Sequence, residues 1–158
     1  MLKGRRIVGV SIQYDLVEYL KMPHMPSNLQ LFKQIWETGK NLDKKIDYSS
    51  FKVGDVSYGV YGVIDPSEAG NKHAMKFWWY QFAMGKVGGW KYYYSRISSP
   101  VSLKLLLRFG AEILAETEVV GSGGKHKMWM IRIDLRKPMP SFTQMQQLLA
   151  GKKPKPKL

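Results

Sequence analysis

Apolar and polar positions along the chain follow two rhythms, one near every second residue and one near every fourth, and their alternation outlines the elements. Arg6–Tyr14 (RIVGVSIQY) is β-branched and partly alternating, which predicts a strand, and Pro23 and Pro26 break whatever follows it. Leu29, Phe32, Ile35, Trp36 and Leu42 then recur at helical spacing and predict a helix to about Lys45, capped by Ser27 or Asn28. Val53–Ile64 reads as a strand with two internal glycines, Gly59 and Gly62, a placement that weakens a strand unless the backbone bends or something approaches closely. Asp65-Pro66 ends it. A helix is expected from about Asn71 to Met84, stopped by Gly85, Gly88 and Gly89.

The remainder of the chain is more sharply marked. Lys91–Ile97 predicts a strand, and Ser99 and Pro100 are the N-cap and first residue of a short helix over Val101–Phe109, closed by Gly110. Glu112–Val120 and Lys127–Leu135 are strands joined through Gly121–Gly124 as a hairpin. In the second of them Trp129, Ile131, Ile133 and Leu135 share one side, and Met128, Met130, Arg132 and Asp134 the other. Ser141–Leu149 predicts a short amphipathic helix, and residues 151–158 form a basic Lys/Pro tail. The order β, α, β, α, β, α, β, β, α argues an α/β fold with a mixed sheet in a single domain over residues 1–150.

Two aromatic runs stand out. Phe77, Trp78, Trp79, Tyr80 and Phe82 make one helix apolar nearly all round, which predicts burial on several sides. Tyr92, Tyr93 and Tyr94 lie on a strand with Tyr93 facing away from the other two; with Lys91 and Arg96 they are a candidate stacking surface for single-stranded RNA.

Charge changes the picture more than composition does. The net charge of +13 is divided unevenly: residues 1–70 carry +1 and residues 71–158 carry +12. That asymmetry points to a polyanionic partner, whether RNA, an acidic protein, a membrane surface or a phosphorylated cofactor. The absence of cysteine excludes disulfides and thiolate metal sites and leaves the compartment open, cytoplasmic or organellar. No apolar run reaches the roughly 20 residues of a transmembrane helix. His24, His73 and His126 lack metal-ligand spacing, so no metal is assigned.

The stretch SSPVSLKLLLRFGAEILAET, Ser98–Thr117, carries a family resemblance. It is similar to the second conserved motif of GNAT-superfamily N-acetyltransferases, Asn-x-x-Ser-x-x-Leu-Tyr-x-x-Leu-Gly-Phe, with Ser99 in the Asn position, Ser102 matching the Ser, and Phe109-Gly110-Ala111 replacing Leu-Gly-Phe. The order of elements over residues 56–135 resembles the acyl-CoA-binding half of that family. The resemblance implies a GNAT-like mixed, splayed sheet flanked by helices, with acetyl-CoA as cofactor. It places the cofactor against the Val63–Ile64 backbone, the loop Gly70, Asn71, Lys72, His73 and Ala74, and Ser99 and Ser102. A helix N-terminus supports such a site physically, through unpaired N–H groups and partial positive charge.

Departures from the pattern accompany it. In the phosphate-loop stretch Ala69–Ala74 only Ala74 fits, with Ala69 in place of the leading Arg/Gln and Lys72 in place of a central Gly. The family's tyrosine acid aligns with Leu106, and the strand Val56–Ile64 has no carboxylate, Asp55 preceding it and Asp65 following it. Tyr58 and Tyr61, with ordinary pKa values near ~10, are poor bases. No catalytic residue is assigned. The strand Arg6–Tyr14 resembles the family's third, which implies that the N-terminal layer is missing and that a protein partner covers the exposed sheet. Two functions remain open: an acetyl-CoA-dependent N-acetyltransferase of reduced or lost activity, or a non-catalytic structural subunit of a large complex, organellar or RNA-containing.

Overall fold

The computed structural model describes residues 2–3, 6–22, 30–68, 73–121 and 124–149. A small antiparallel pair, β1 (Leu2–Lys3) and β2 (Arg6–Ile7), leads into β3 (Gly9–Asp15). Helices α1 (Leu16–Lys21) and α2 (Gln30–Asp43) follow, then β4 (Val56–Ile64), the single turn α3 (Pro66–Glu68), α4 (Ala74–Val87) and β5 (Tyr92–Ile97). The chain continues through α5 (Pro100–Arg108), β6 (Glu112–Gly121), β7 (Gly124–Asp134) and α6 (Phe142–Leu149). Strands β3 to β7 form one sheet in the order β3-β4-β5-β7-β6, parallel between β4 and β5 and antiparallel elsewhere. This is the mixed α/β architecture expected.

The N-terminal strand is broken at buried Val8 rather than continuous from Arg6. Helix α1 is an element that the hydrophobic pattern does not predict. Its cap is Asp15, whose carboxylate accepts the N–H groups of Val17 (2.8 Å) and Glu18 (3.2 Å). The Asp15-x-x-Glu18 spacing is the signature of a helix start, masked here by the strand-like run before it. The proposed caps of α2, Ser27 and Asn28, lie outside the described residues. Strand β4 begins later than Val53 because Gly54 turns the chain with φ of 91°.

Helix α4 passes through Gly85 and runs to Val87, so Gly85 does not stop it. A Cβ at Gly85 would sit 2.9 Å from Leu135 Cδ1; this glycine brings the helix close to the sheet, and termination falls to Gly88. Helix α5 matches expectation. Ser99 Oγ accepts the Ser102 N–H at 3.3 Å, Pro100 opens the helix, and Gly110 closes it with φ of 82°.

The sheet divides the interior into two cores. Phe77, Trp78 and Phe82 of α4 and Leu103 and Leu106 of α5 pack on one face against Tyr93, Ile131 and Ile133, with Leu135 just beyond β7. Leu16 and Tyr19 of α1 and Leu42 of α2 pack on the other, against Val56, Tyr58, Tyr94, Met128 and Met130. Strand β7 thus buries both sides of its alternation, as an internal strand must. Of the aromatic helix, Phe77, Trp78 and Phe82 are buried as its composition predicts, whereas Tyr80, Met84 and Val87 face solvent. The RNA-stacking surface loses three of its five members: Tyr93 and Tyr94 are core residues and Arg96 is largely buried, which leaves half-buried Tyr92 and exposed Lys91.

Candidate functional site

The site is made by two strands that separate. The β4–β5 ladder runs from Val56/Tyr92 to Gly59/Ser95 and stops there. Ser95 Oγ donates to the Gly59 carbonyl at 2.9 Å across the last rung. Beyond it β4 stays with β3, and β5 stays with β7 through Arg96/Met130 and Ile97/Trp129. A parallel pair that parts while each strand keeps its outer partner leaves a fork with unpaired backbone on its inner sides.

A β-bulge sharpens the fork. Ile12 pairs with Tyr61 and Gln13 with Gly59, so Val60 is the extra residue that bends β4. Asp65 N–H donates to Val8 C=O at 2.9 Å, which sets the parity of the ladder. The backbone groups of Val63 therefore face β3, and those of Gly62 and Ile64 face the fork.

The base of the fork is polar on one face and ionic on the other. On the α4 face, a Cβ at Gly59 would collide with the Tyr93 hydroxyl, so only glycine fits there. Tyr93 Oη donates to Gln81 Oε1 (2.8 Å), which also accepts Gln13 Nε2 (3.3 Å), and Ser57 Oγ donates to Gln13 Oε1 (3.0 Å). On the α1/α2 face, Arg96 Nη2 donates to Asp43 Oδ2 (2.5 Å) and to Tyr19 Oη (2.8 Å), and Tyr58 Oη donates to Asp43 Oδ1 (3.4 Å). The guanidinium lies against α2 where Gly39 leaves no side chain in its way.

Burial raises the pKa of both tyrosines at the fork, Tyr58 and Tyr93, so both stay protonated at neutral pH. Each can donate a hydrogen bond and neither can act as a base. Asp65, at the end of β4, is held below the usual carboxylate range by the Ser67 hydroxyl and N–H and by Arg6.

The sequence-predicted site residues are distributed as follows. Ile64 lines the fork, whereas Val63 turns its backbone to β3 and its exposed side chain to the α1/α2 face. Gly70, Asn71 and Lys72 lie outside the described residues. His73 and Ala74 open α4, whose first turn contains no acidic residue and includes Lys76. Ser99 and Ser102 sit at the start of α5 and engage one another in its cap. Leu106, at the family's acid position, is 0% exposed within the apolar core. Sequence reasoning missed the Arg96–Asp43–Tyr19 cluster and the Gln81–Gln13–Ser57 network, because their members are scattered in sequence. The two strand glycines, Gly59 and Gly62, were the available hint.

No family model and no curated sequence matches the chain. Solved structures do. Arylalkylamine N-acetyltransferase 2 from Aedes aegypti superimposes with a TM-score of 0.61 at 14% identity, over 81% of this chain and 68% of that one. The C-terminal condensation domain of Ebony, solved with beta-alanyl-dopamine, gives a TM-score of 0.59 at 15% identity, over 82% and 67%. The polyamine N-acetyltransferase of Drosophila melanogaster gives 0.56 at 13%, over 84% and 72%. This chain is similar to each of them over most of its length and about two-thirds of theirs. Together with the splayed β4–β5 pair and the helices on both faces, these superpositions show that the chain has the GNAT N-acetyltransferase fold.

Proposed function

We propose that this protein binds acetyl-CoA in the fork between β4 and β5 and is an N-acetyltransferase-type protein with reduced acid–base equipment. The observation that carries this is the fork itself: the ladder stops at Gly59/Ser95, and Gly62 and Ile64 direct unpaired backbone groups into it. Such groups suit an amide-bearing arm, which needs donors and acceptors along an extended path. The first turn of α4, free of acidic residues and carrying Lys76, suits a pyrophosphate. Gly70–Ala74, Ser99 and Ser102 complete the proposed contacts.

Acetyl-CoA would supply the activated acetyl thioester. Transfer to an amine needs that amine deprotonated, the carbonyl polarised and the leaving thiolate protonated. Backbone N–H groups of the fork are suited to polarisation. Leu106 has no proton to give to a thiolate, and β4 carries no carboxylate to receive one from an amine. The chain's own chemistry therefore favours binding over turnover.

Calorimetric titration with acetyl-CoA at low and high salt tests this. Saturable one-to-one binding that persists in salt is the expected result; no binding, or binding abolished by salt, overturns it. A second reading, a non-catalytic subunit of an RNA-containing or organellar complex, is favoured by the +12 charge of residues 71–158. It predicts RNA affinity that falls steeply with salt and drops when residues 152–158 are deleted.

A further inference from the structure

Helix α4 is apolar nearly all round, yet the fold buries only the side that faces the sheet. Tyr80, Met84 and Val87 recur at i, i+4 and i+7 on its outer side and are 56%, 67% and 85% exposed. The outer face of a surface helix ordinarily carries charged and polar residues instead. Beside this stripe, Trp79, Ala83 and Val87 face Met139, Pro140 and Gln144 across a groove of about 290 Å³ that opens to solvent. Its far wall is fixed to the helix: Trp79 Nε1 donates to the Pro140 carbonyl at 3.1 Å, and Lys86 Nζ to the Lys137 carbonyl at 2.8 Å. Val87 belongs to both stripe and groove, so the two form one apolar surface. A contiguous exposed apolar surface with a polar rim is the mark of a docking site.

The charge around it is of one sign. Helices α4, α5 and α6 contain no aspartate or glutamate, whereas α4 carries Lys76 and Lys86 and α5 carries Lys104 and Arg108. Exposed Lys137 lies in the segment between β7 and α6 that forms the groove's far wall, and Lys76 Nζ lies 5.6 Å from the Phe142 ring at the start of α6. Asp134, at the end of β7, is engaged by Arg136 at 2.8 Å and leaves these lysines unanswered. We propose that the stripe and groove dock an acidic, apolar-faced peptide segment of another protein. Its apolar side chains enter between Trp79 and Met139, and its carboxylates meet Lys76, Lys86 and Lys137.

The same charges select among occupants. A second copy would set one cationic helical layer against another, and residues 151–158 of this chain would add Lys152, Lys153, Lys155 and Lys157 to it. Nucleic acid suits the charge but gives Met84 and Val87 nothing apolar to meet. An anionic bilayer suits charge and stripe, but its flat surface leaves the groove unfilled. An acidic peptide suits all three features, with methionine and aromatic anchors, a concave slot and a basic rim. The groove lies on the side of α4 turned away from Gln81 and the fork, so the proposal is independent of cofactor binding.

Selection of a random displayed-peptide library on the full chain supplies the probe. Enriched peptides are expected to combine Asp or Glu with Leu, Phe or Trp, and fluorescence anisotropy of the best one gives its affinity. Met84→Ser with Val87→Ser should weaken that affinity by roughly tenfold or more, as truncating two anchors of a small interface does. Lys86→Glu with Lys137→Glu should weaken it as well and flatten its dependence on salt. Val101→Ser, at an apolar site on α5 that is 80% exposed, should bind like the wild type. All these positions are exposed, so each variant should keep the wild-type circular-dichroism spectrum. A library that yields no binder, enriched peptides without acidic residues, or a best peptide indifferent to both double variants overturns the proposal. Binding to phosphatidylserine vesicles that Met84→Ser with Val87→Ser abolishes overturns it in favour of a membrane. A dimer in sedimentation velocity that the same variant dissociates overturns it in favour of a second copy.

Discussion

The two faces of the sheet are sealed by different physics. Under α4 and α5 the contacts are apolar: Phe77, Trp78, Phe82, Leu103 and Leu106 meet Ile131, Ile133 and Leu135, with a neutral hydrogen-bond network confined to the base of the fork. Under α1 and α2 a buried ion pair, Arg96–Asp43, sits inside a cage of tyrosines and holds the end of α2 against β5. The first face tolerates gradual loss, because each methyl group contributes separately. The second is all or none, because removing one charge leaves the other stranded in a medium that solvates it poorly. The fork lies between them, so its width depends on both.

Three experiments put this contrast under strain. The largest effect is expected from Asp43→Ala, which leaves Arg96 buried without its carboxylate and should cost about 3–5 kcal/mol in chemical denaturation. Replacing both partners, Arg96→Met with Asp43→Leu, should recover most of that loss; a double variant as unstable as the single one would mean the pair is not the fault line. Leu106→Ala comes next, at about 2–4 kcal/mol, the range for a fully buried leucine truncated in an apolar core. A loss from Leu106→Ala larger than from Asp43→Ala would invert the comparison.

The smallest effect near neutrality, and the most selective, is alkaline. Burial raises the pKa values of Tyr19, Tyr48, Tyr58 and Tyr94 on the α1/α2 face and of Tyr93 on the other. A raised pKa means that the unfolded chain loses these protons first, near pH ~10, while the folded chain keeps them. Their contribution to stability is whole below that pH and shrinks as the pH climbs above it. Absorbance of tyrosinate should therefore appear in two stages, that of the buried group arriving together with unfolding. A single smooth titration of all nine tyrosines would show that the cage is open to water.

The part of the site legible in sequence was the part made by local rules. Ser99, Pro100 and Gly110 bound α5 because capping, ring geometry and positive φ act within a few residues. Gly59 and Gly62 announced a close approach without saying to what; the structure answers with Tyr93 for the first and Phe77 for the second. Gly85 carried the same message and was read as a stop, because a glycine at a helix end and a glycine under a neighbouring strand look alike in one dimension. In sequence Arg96 reads as part of an RNA-stacking surface, since nothing near it reveals an aspartate 53 positions away.

By itself the sequence determined most of the succession of strands and helices, α1 excepted, the alternation along β5 and β7, the caps of α5 and the concentration of positive charge in the second half. These follow from periodicity, capping and composition, which are local or summed quantities. The tertiary structure alone decided where β4 leaves β5, which backbone groups line the resulting fork, which cation is buried and which side of α4 faces solvent. Those depend on pairing between distant segments, where register and close packing, rather than the propensity of any one stretch, set the lowest free energy.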